Sequence, residues 1–431
     1  MEGTSKLQRF LQWCSASGII INDSVDITNS GSCAQYGMVA RRTIRKGEKL
    51  ATIPKTAILS VACEAVNPVA RYLVSTGLLP SSNPKKVTKS GESEEENVWI
   101  PLLVTLMGEY CKHESYWRPY FDLCPQFDEM DPVLLWESSE TARLLRGTGL
   151  VERVEHETDL IERDYLDTVE PLITAREDLF DCSTLSLTLY KKMVSFVMAY
   201  SFTDPVCRNV YASVMMVPVA DILNHHSKHN AKIVYGRTAL DIVALRAIKP
   251  NEEVFNTYGR LGNAELLYKY GFSEHCPNLN DHATVRIEIV RGVANIMSKF
   301  KGGRFQKQWE LVCNFLDMNE DDDRFCVAFD GEPEDNLLAI VHTICLSKKA
   351  WKMSNIAVLS SVDELSDEAR QLLKEVCLKC LGQYDCSLQD DVDLINNKEE
   401  QCSRRERFAL YVRLGQKQAL HNLIDACEAV K

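Results

Sequence analysis

Apolar positions along the chain change period several times, and each change marks a different kind of element. Leu7, Phe10, Leu11 and Cys14 fall on one face and predict a helix over residues 6–16. The spacing then shortens to strand-like runs at 36–40, 50–53 and 57–60, the last two separated by Pro54. Helical periods take over at 99–110, 144–169 and 186–202. Inside this region, residues 81–97 are polar and contain Glu94-Glu95-Glu96, which predicts a mobile loop. Strand signals return at 231–235, 241–244 and 253–256. From about residue 285 the pattern predicts helices to the end, interrupted by acidic loops at 317–323 and 389–393. The last helix, over 404–430, carries Phe408, Tyr411, Val412, Leu420, Leu423, Ile424 and Cys427 as an apolar face. Gly415 in its middle costs about 1 kcal/mol in helix propensity and predicts close packing there.

A short internal echo joins the two β-rich parts. Ile44-Arg45-Lys46-Gly47-Glu48-Lys49-Leu50 is similar to Ile248-Lys249-Pro250-Asn251-Glu252-Glu253-Val254. Both read as charged turns feeding a strand. Asn251 stands where the first copy has Gly47, and asparagine tolerates the left-handed region better than most residues.

The pattern therefore predicts an α+β chain: a β-rich core split by a helical insertion, then an all-helical C-terminal domain. The predicted parts are 1–61, 62–205, 206–280 and 285–431, a division consistent with 431 residues, too many for one core. The net charge is -12, from 49 basic and 61 acidic residues. Such a surface repels nucleic acid phosphates, so no direct nucleic acid contact is expected; it serves solubility first and attracts basic protein partners only weakly. No basic and then apolar leader opens the chain, and the longest apolar stretch, near 193–202, is too short to span a bilayer. An intracellular protein with mostly reduced thiols is expected from its 16 cysteines. Cys377 and Cys380 form a C-x-x-C, but no second pair follows and 368–381 reads as an amphipathic helix. Core packing is the expected role, and no metal is expected.

Two segments carry the chemistry. Val217-Pro218-Val219-Ala220-Asp221-Ile222-Leu223-Asn224-His225 ends an apolar run with an amide and an imidazole side by side. Phe255-Asn256-Thr257-Tyr258-Gly259 sets a phenol beside glycine after a strand-like run. Taken singly, Asn224 and His225 read as a satisfied core pair and Tyr258 as a strand-end packing residue. A buried amide needs partners, however, and a small ligand rich in polar groups would supply them. His225 and His229 lie four apart with Asp221 four before. Yet no glutamate of the H-E-x-x-H kind stands between the histidines, and room exists for only about one helical turn.

In combination these segments resemble the SET-domain protein-lysine methyltransferases, in the class typified by the Rubisco large-subunit methyltransferase. The resemblance extends over nearly the whole chain. It includes Phe10-Leu11-Gln12-Trp13-Cys14, Tyr36-Gly37-Met38-Val39-Ala40-Arg41, Trp117-Arg118-Pro119-Tyr120-Phe121, Ala199-Tyr200-Ser201-Phe202 and Arg413-Leu414-Gly415-Gln416-Lys417. It implies a split SET domain with a helical insertion and a C-terminal substrate-binding domain. It implies S-adenosylmethionine as cofactor and a protein presenting a lysine as partner, with no membrane. By that resemblance Ala34, Gln35 and Tyr36 contact the amino-acid end of the donor through their backbone. Asn224 and His225 bind the donor, Tyr200 and Tyr270 line its pocket, and Phe272 lies near the adenine. Tyr258 is the catalytic tyrosine, and Trp99, Ser201 and Thr203 lie near the substrate lysine. Gln35 stands where the family often has glycine, and Tyr200 where the plant enzymes have arginine. The nucleus is the compartment the resemblance suggests, with the cytoplasm second.

Physical chemistry fits that reading. Methylating an amine needs a neutral lysine, an aligned donor and little water, and a nearby sulfonium disfavours the charged amine. No acid–base carboxylate pair is required. Two alternatives stay open on the residues alone: a catalytically degenerate scaffold that grips a partner, and methylation of another side chain such as histidine.

Overall fold

The computed structural model describes residues 5–33, 35–63, 66–79, 98–127, 129–181, 184–297, 303–318, 324–346, 359 and 361–429. Ala34 and the expected loop at 81–97 lie outside them. The chain folds as two units, Met1–Leu135 with His156–Arg260, and Trp136–Glu155 with Leu261–Lys431.

The first unit holds nine short strands among the described residues: β1 Ile20–Ile21, β2 Val25–Thr28, β3 Gly37–Ala40, β4 Lys49–Pro54, β5 Ser201–Thr203, β6 Val214–Met216, β7 Ala231–Tyr235, β8 Ala239–Ala244 and β9 Glu253–Val254. They form an antiparallel sheet in the order β1-β4-β8-β7, a second in the order β2-β3-β9, and the pair β5-β6. Strands from before and after the helical insertion thus share the same sheets. In β8 the alternation is regular: Leu240, Ile242 and Ala244 are buried and the residues between them are half-buried. Register between β4 and β8 is marked by Thr52, whose Oγ1 donates to Asp241 Oδ1 at 2.6 Å across the pair.

The two echoed turns are partners. Ile44 and Ile248 exchange main-chain hydrogen bonds at 2.9 and 3.1 Å, and Gly47 (φ 83) and Asn251 (φ 64) both take the left-handed conformation. Helix Lys6–Ala16 is opened by a Ser5–Gln8 capping box and lays Phe10, Trp13 and Cys14 inward. Trp13 meets Trp117 at 5.4 Å between ring centroids, so the N-terminal helix is anchored beside helix Arg118–Leu123 by aromatic packing.

Several sequence expectations change in detail. Residues 57–60 are not a strand; a 3-10 turn Lys55–Ala57 follows β4, and only Leu59 forms a bridge, with Met216. Pro54 does not break the strand but closes it, opposite Ala239. Helix Leu187–Tyr200 stops before Phe202, which lies in β5. The helical stretch at 144–169 is interrupted by Gly147 (φ 81) and Gly149 (φ 78), conformations open to glycine at little cost.

The second unit is helical around one core, with Trp309, Val312, Leu337, Val341, Leu372, Leu373, Leu420 and Leu423 fully or almost fully buried. One antiparallel pair is set into it, β10 His282–Arg286 with β11 Arg324–Ala328, where the period had predicted helices throughout. The acidic stretch at 389–393 is not a loop but part of helix Leu388–Lys398. A capping box between Ser387 and Asp390 starts that helix. The last helix runs Arg404–Ala429. Cys377 and Cys380 lie in the core on helix Asp367–Leu381, and burial pushes the Cys380 thiol up to about 12, the behaviour of packing residues.

The sequence run Arg413–Lys417 acquires a set of functions here. Lys417 and Asp391 are each 1% exposed and paired at 2.7 Å. Lys417 also donates to the carbonyls of Cys386 and Ser387, and Arg413 reaches the other oxygen of Asp391 at 2.9 Å. Gln416 bridges the Thr148 carbonyl and the Tyr384 hydroxyl. A Cβ on Gly415 would lie 2.0 Å from Asp281 Oδ2, so the predicted close packing is with this carboxylate.

Candidate active site

Three segments of the first unit converge on Asn224 and His225. The loop before β3 supplies Ser32, Cys33 and Tyr36, the turn after β6 supplies Leu223 to His226, and the end of β9 supplies Glu253 to Tyr258. Pairing of β3 with β9 brings Val39 opposite Glu253, and a parallel bridge joins His225 to Asn256. Asn256 N–H donates to the Asn224 carbonyl at 3.0 Å, and His226 N–H to the Asn256 carbonyl at 3.2 Å. The thirty-four positions between Asn224 and Tyr258 are closed by β7, β8 and the Asn251 turn.

Asn224 is 2% exposed. Its Nδ2 donates to the Tyr36 carbonyl at 3.1 Å and to Glu253 Oε1 at 2.6 Å, so one amide ties all three segments together. Both bonds use Nδ2, which leaves Oδ1 as the atom for a ligand donor. Gly37 makes this junction possible. A Cβ there would lie 2.7 Å from Glu253 Oε1 and 3.0 Å from Gly31 Cα.

His225 is equally buried, and its Nδ1 accepts the Tyr258 main-chain N–H at 3.0 Å. The acceptor role places the ring proton on Nε2. The His225 and Tyr258 rings lie 5.1 Å apart, tilted by 32°. The Tyr258 hydroxyl donates to the Leu223 carbonyl at 2.9 Å, which fixes the phenol at both ends.

Tyr36 and Tyr200 line one small cavity of about 40 Å³ together with Gln35, Tyr120 and Asp221. Burial raises the Tyr36 phenol above its usual range, with Glu129 adding to the effect. Ser201 and Thr203 lie in β5, paired with Met216 and Val214 of β6, the strand that runs directly into the Val217–His225 turn. Trp99 stands at the entry to helix Ile100–Cys111. Tyr270 and Phe272 belong to the second unit, 6.3 Å apart, with burial raising the Tyr270 phenol to about 12. His225 and His229 do not share a helix, since only the 3-10 turn Ala220–Ile222 precedes them.

Four residues of the junction escaped the sequence reading. Glu253 and Asn256 are the partners of Asn224. Asn230 is fully buried, donates to the Glu253 carbonyl at 2.8 Å and accepts from Phe255 N–H at 2.8 Å. Tyr120 donates to Asp221 at 2.6 Å. The one sequence signal for them was position: each lies in or next to a segment already singled out, Tyr120 on helix Arg118–Leu123 and the others on the strands and turns of the junction.

Comparison with known proteins agrees with this geometry. The SET domain profile matches residues 35–259, and the Rubisco LSMT substrate-binding profile matches 304–420. N-lysine methyltransferase setd6 of Salmo salar is 34% identical over 98% of this chain and 97% of its own. The Homo sapiens N-lysine methyltransferase SETD6 is 33% identical over 93% of this chain and 86% of its own. Among solved structures, the SET domain of LSMT bound to lysine and AdoHcy superposes with a TM-score of 0.71. That match covers 98% of this chain and 91% of that one at 19% identity, a likeness of fold. Rubisco LSMT bound to AdoMet gives the same TM-score and identity over 99% and 92%. The chain therefore belongs to the SET-domain family, and it carries the Rubisco LSMT type of substrate-binding domain.

Proposed function

We infer that the chain is an S-adenosylmethionine-dependent protein-lysine N-methyltransferase, and we propose Tyr258 as its catalytic residue. The observation that carries the site assignment is the double anchoring of Tyr258, main chain on His225 Nδ1 and hydroxyl on the Leu223 carbonyl. The fit to the donor rests on chemistry present in the junction. Asn224 Oδ1 and the carbonyls around it accept from an ammonium, and the faces of Tyr36, Tyr200 and Tyr258 suit an aromatic base and a cationic sulfur. When bound, the donor supplies a methyl group already activated on a sulfonium.

The chain's own residues then have three tasks. Asn224 and Gly37 hold the donor loop against β9. Because the Tyr258 O–H is committed to Leu223, its oxygen accepts an amine N–H and turns the nitrogen lone pair away from the phenol. Partial burial beside Tyr258 and the positive charge that a bound donor would carry disfavour an ammonium there, which keeps the lysine neutral. Ser201, Thr203 and Trp99 are proposed to border the incoming lysine, and Ala34 and Gln35 to complete the donor site. Protein substrates other than histones are included, in the nucleus first and the cytoplasm second. No direct nucleic acid contact is proposed. No described helix is long and apolar enough to cross a membrane.

The test is transfer of radiolabelled methyl from S-adenosylmethionine into nuclear and cytosolic extracts, wild type beside Tyr258→Phe. Label on one or a few proteins, found on lysine by mass spectrometry and lost in the variant, supports the reading. Absence of label together with absence of donor binding favours the scaffold alternative.

A further inference from the structure

Asp221 lies three residues before Asn224, yet amine methylation requires no carboxylate. Part of its surface faces the small cavity, while the carboxyl itself sits deep in the first unit, and burial pushes it up to about 7. An amide or an apolar residue would avoid that cost. Three groups offset it. The Tyr120 hydroxyl donates to Oδ2 at 2.6 Å, and the main-chain N–H groups of Val219 and Asp221 favour the charged form. The titratable groups that face it are Tyr120 and Cys124, on helix Arg118–Leu123 and its end, and Cys14 on helix Lys6–Ala16. Burial and the charge of Asp221 raise all three, so they stay protonated around it.

The segment that Asp221 holds is strained. Val219 adopts φ 74 and ψ -40 and is fully buried. A β-branched residue is a true outlier in that region. Such a conformation persists only where its surroundings over-determine it. Here the determinants meet at Asp221: its N–H donates to the Val217 carbonyl at 3.2 Å, and its carboxyl, held by the Tyr120 hydroxyl at 2.6 Å, attracts the Val219 main chain. From Val219 the chain passes through the turn Ala220–Ile222 into Leu223, whose carbonyl receives the Tyr258 hydroxyl.

We propose that Asp221, held by the Tyr120 hydroxyl, is a positioning residue for Tyr258: it locks the strained Val219 turn and so aims the Leu223 carbonyl at the phenol. Asp221 acts through Leu223 and does not itself meet the amine. The inference rests on the methyltransferase reading.

The test uses the full-length protein with radiolabelled S-adenosylmethionine and heat-inactivated extract as acceptor, at varied donor concentration. Tyr120→Phe and Asp221→Ala are each expected to lower the maximal rate about tenfold or more at unchanged donor KM, since misplacement by a fraction of an ångström is felt in the chemical step. The double variant is expected to be no slower than Asp221→Ala, because both changes break one linkage. Asp221→Asn, which keeps an acceptor for Tyr120 and for Val219, is expected to recover most of the rate. A wild-type rate in either single variant, a loss lying wholly in donor KM, or multiplying losses in the double variant would overturn the inference. Should Asp221→Ala fail to fold, Tyr120→Phe, which removes one oxygen atom, decides alone. Transfer by the wild type with unaffected variants sinks the inference only; no transfer by the wild type sinks the methyltransferase reading and the inference with it.

Discussion

At the scale of single residues, the site is a junction in which one atom often serves two segments. Gly37 shows how little room there is. An alanine there would push its Cβ against Glu253 Oε1 at 2.7 Å and Asn224 Nδ2 at 3.2 Å. Gly37→Ala is therefore expected to destabilise the first unit by about 1–3 kcal/mol. It should also weaken donor binding measurably by calorimetry; unchanged affinity would mean that the Asn224 junction does not shape the donor site. Asn224, His225 and Tyr258 were legible in the sequence because their residue types and order form a motif. Glu253, Asn230 and Tyr120 were not. Their roles depend on which main-chain groups the fold sets opposite them, and a glutamate on a short strand looks the same whether it faces water or Asn224.

At the scale of elements, the last helix is fixed by buried charge as well as by its apolar face. Lys417 and Asp391 are enclosed together, with Arg413 on the second carboxylate oxygen. Removing Asp391 leaves the buried Lys417 charge uncompensated, which costs about 3–5 kcal/mol. Asp391→Leu should lower the unfolding midpoint of the second unit accordingly, and adding Lys417→Met should restore much of it, Arg413 being the less buried of the two cations. A single variant as stable as wild type would show that the pair contributes nothing net. The period of apolar residues located most helices to within a few positions. It missed β10 and β11, because two five-residue strands 38 positions apart have no local signal strong enough against the helical pattern around them. Residues 389–393 were read as a loop because acidic composition suggests solvent, whereas the Ser387 cap turns those same carboxylates into a favourable first helical turn.

At the scale of the whole molecule, each unit carries one buried carboxyl raised to about 7 among the described residues, Asp221 in the first and Asp281 in the second, burial being the main cause in both. A native carboxyl that keeps its proton to about pH 7, against 3.8 for the ordinary group, makes stability fall as pH rises between those values and level off above. Asp281→Asn keeps an acceptor for the Asn263 N–H. It is thus expected to stabilise the second unit by up to about 4 kcal/mol at pH 8 and hardly at all near pH 4. Equal effects at both pH values would show that the native carboxyl is not raised. The split core with its helical insertion was legible because the period changes along the chain, whereas the pairing of the echoed turns at Gly47 and Asn251 is seen only in the fold. The central claim is that this chain moves a methyl group from S-adenosylmethionine to lysine with Tyr258 as the orienting phenol. The most direct measurement pairs donor calorimetry with a single-turnover transfer assay on wild type and Tyr258→Phe. The account predicts equal donor affinity in the two proteins and a transfer rate lower by about 100-fold in the variant; equal transfer rates, with donor bound, would contradict it.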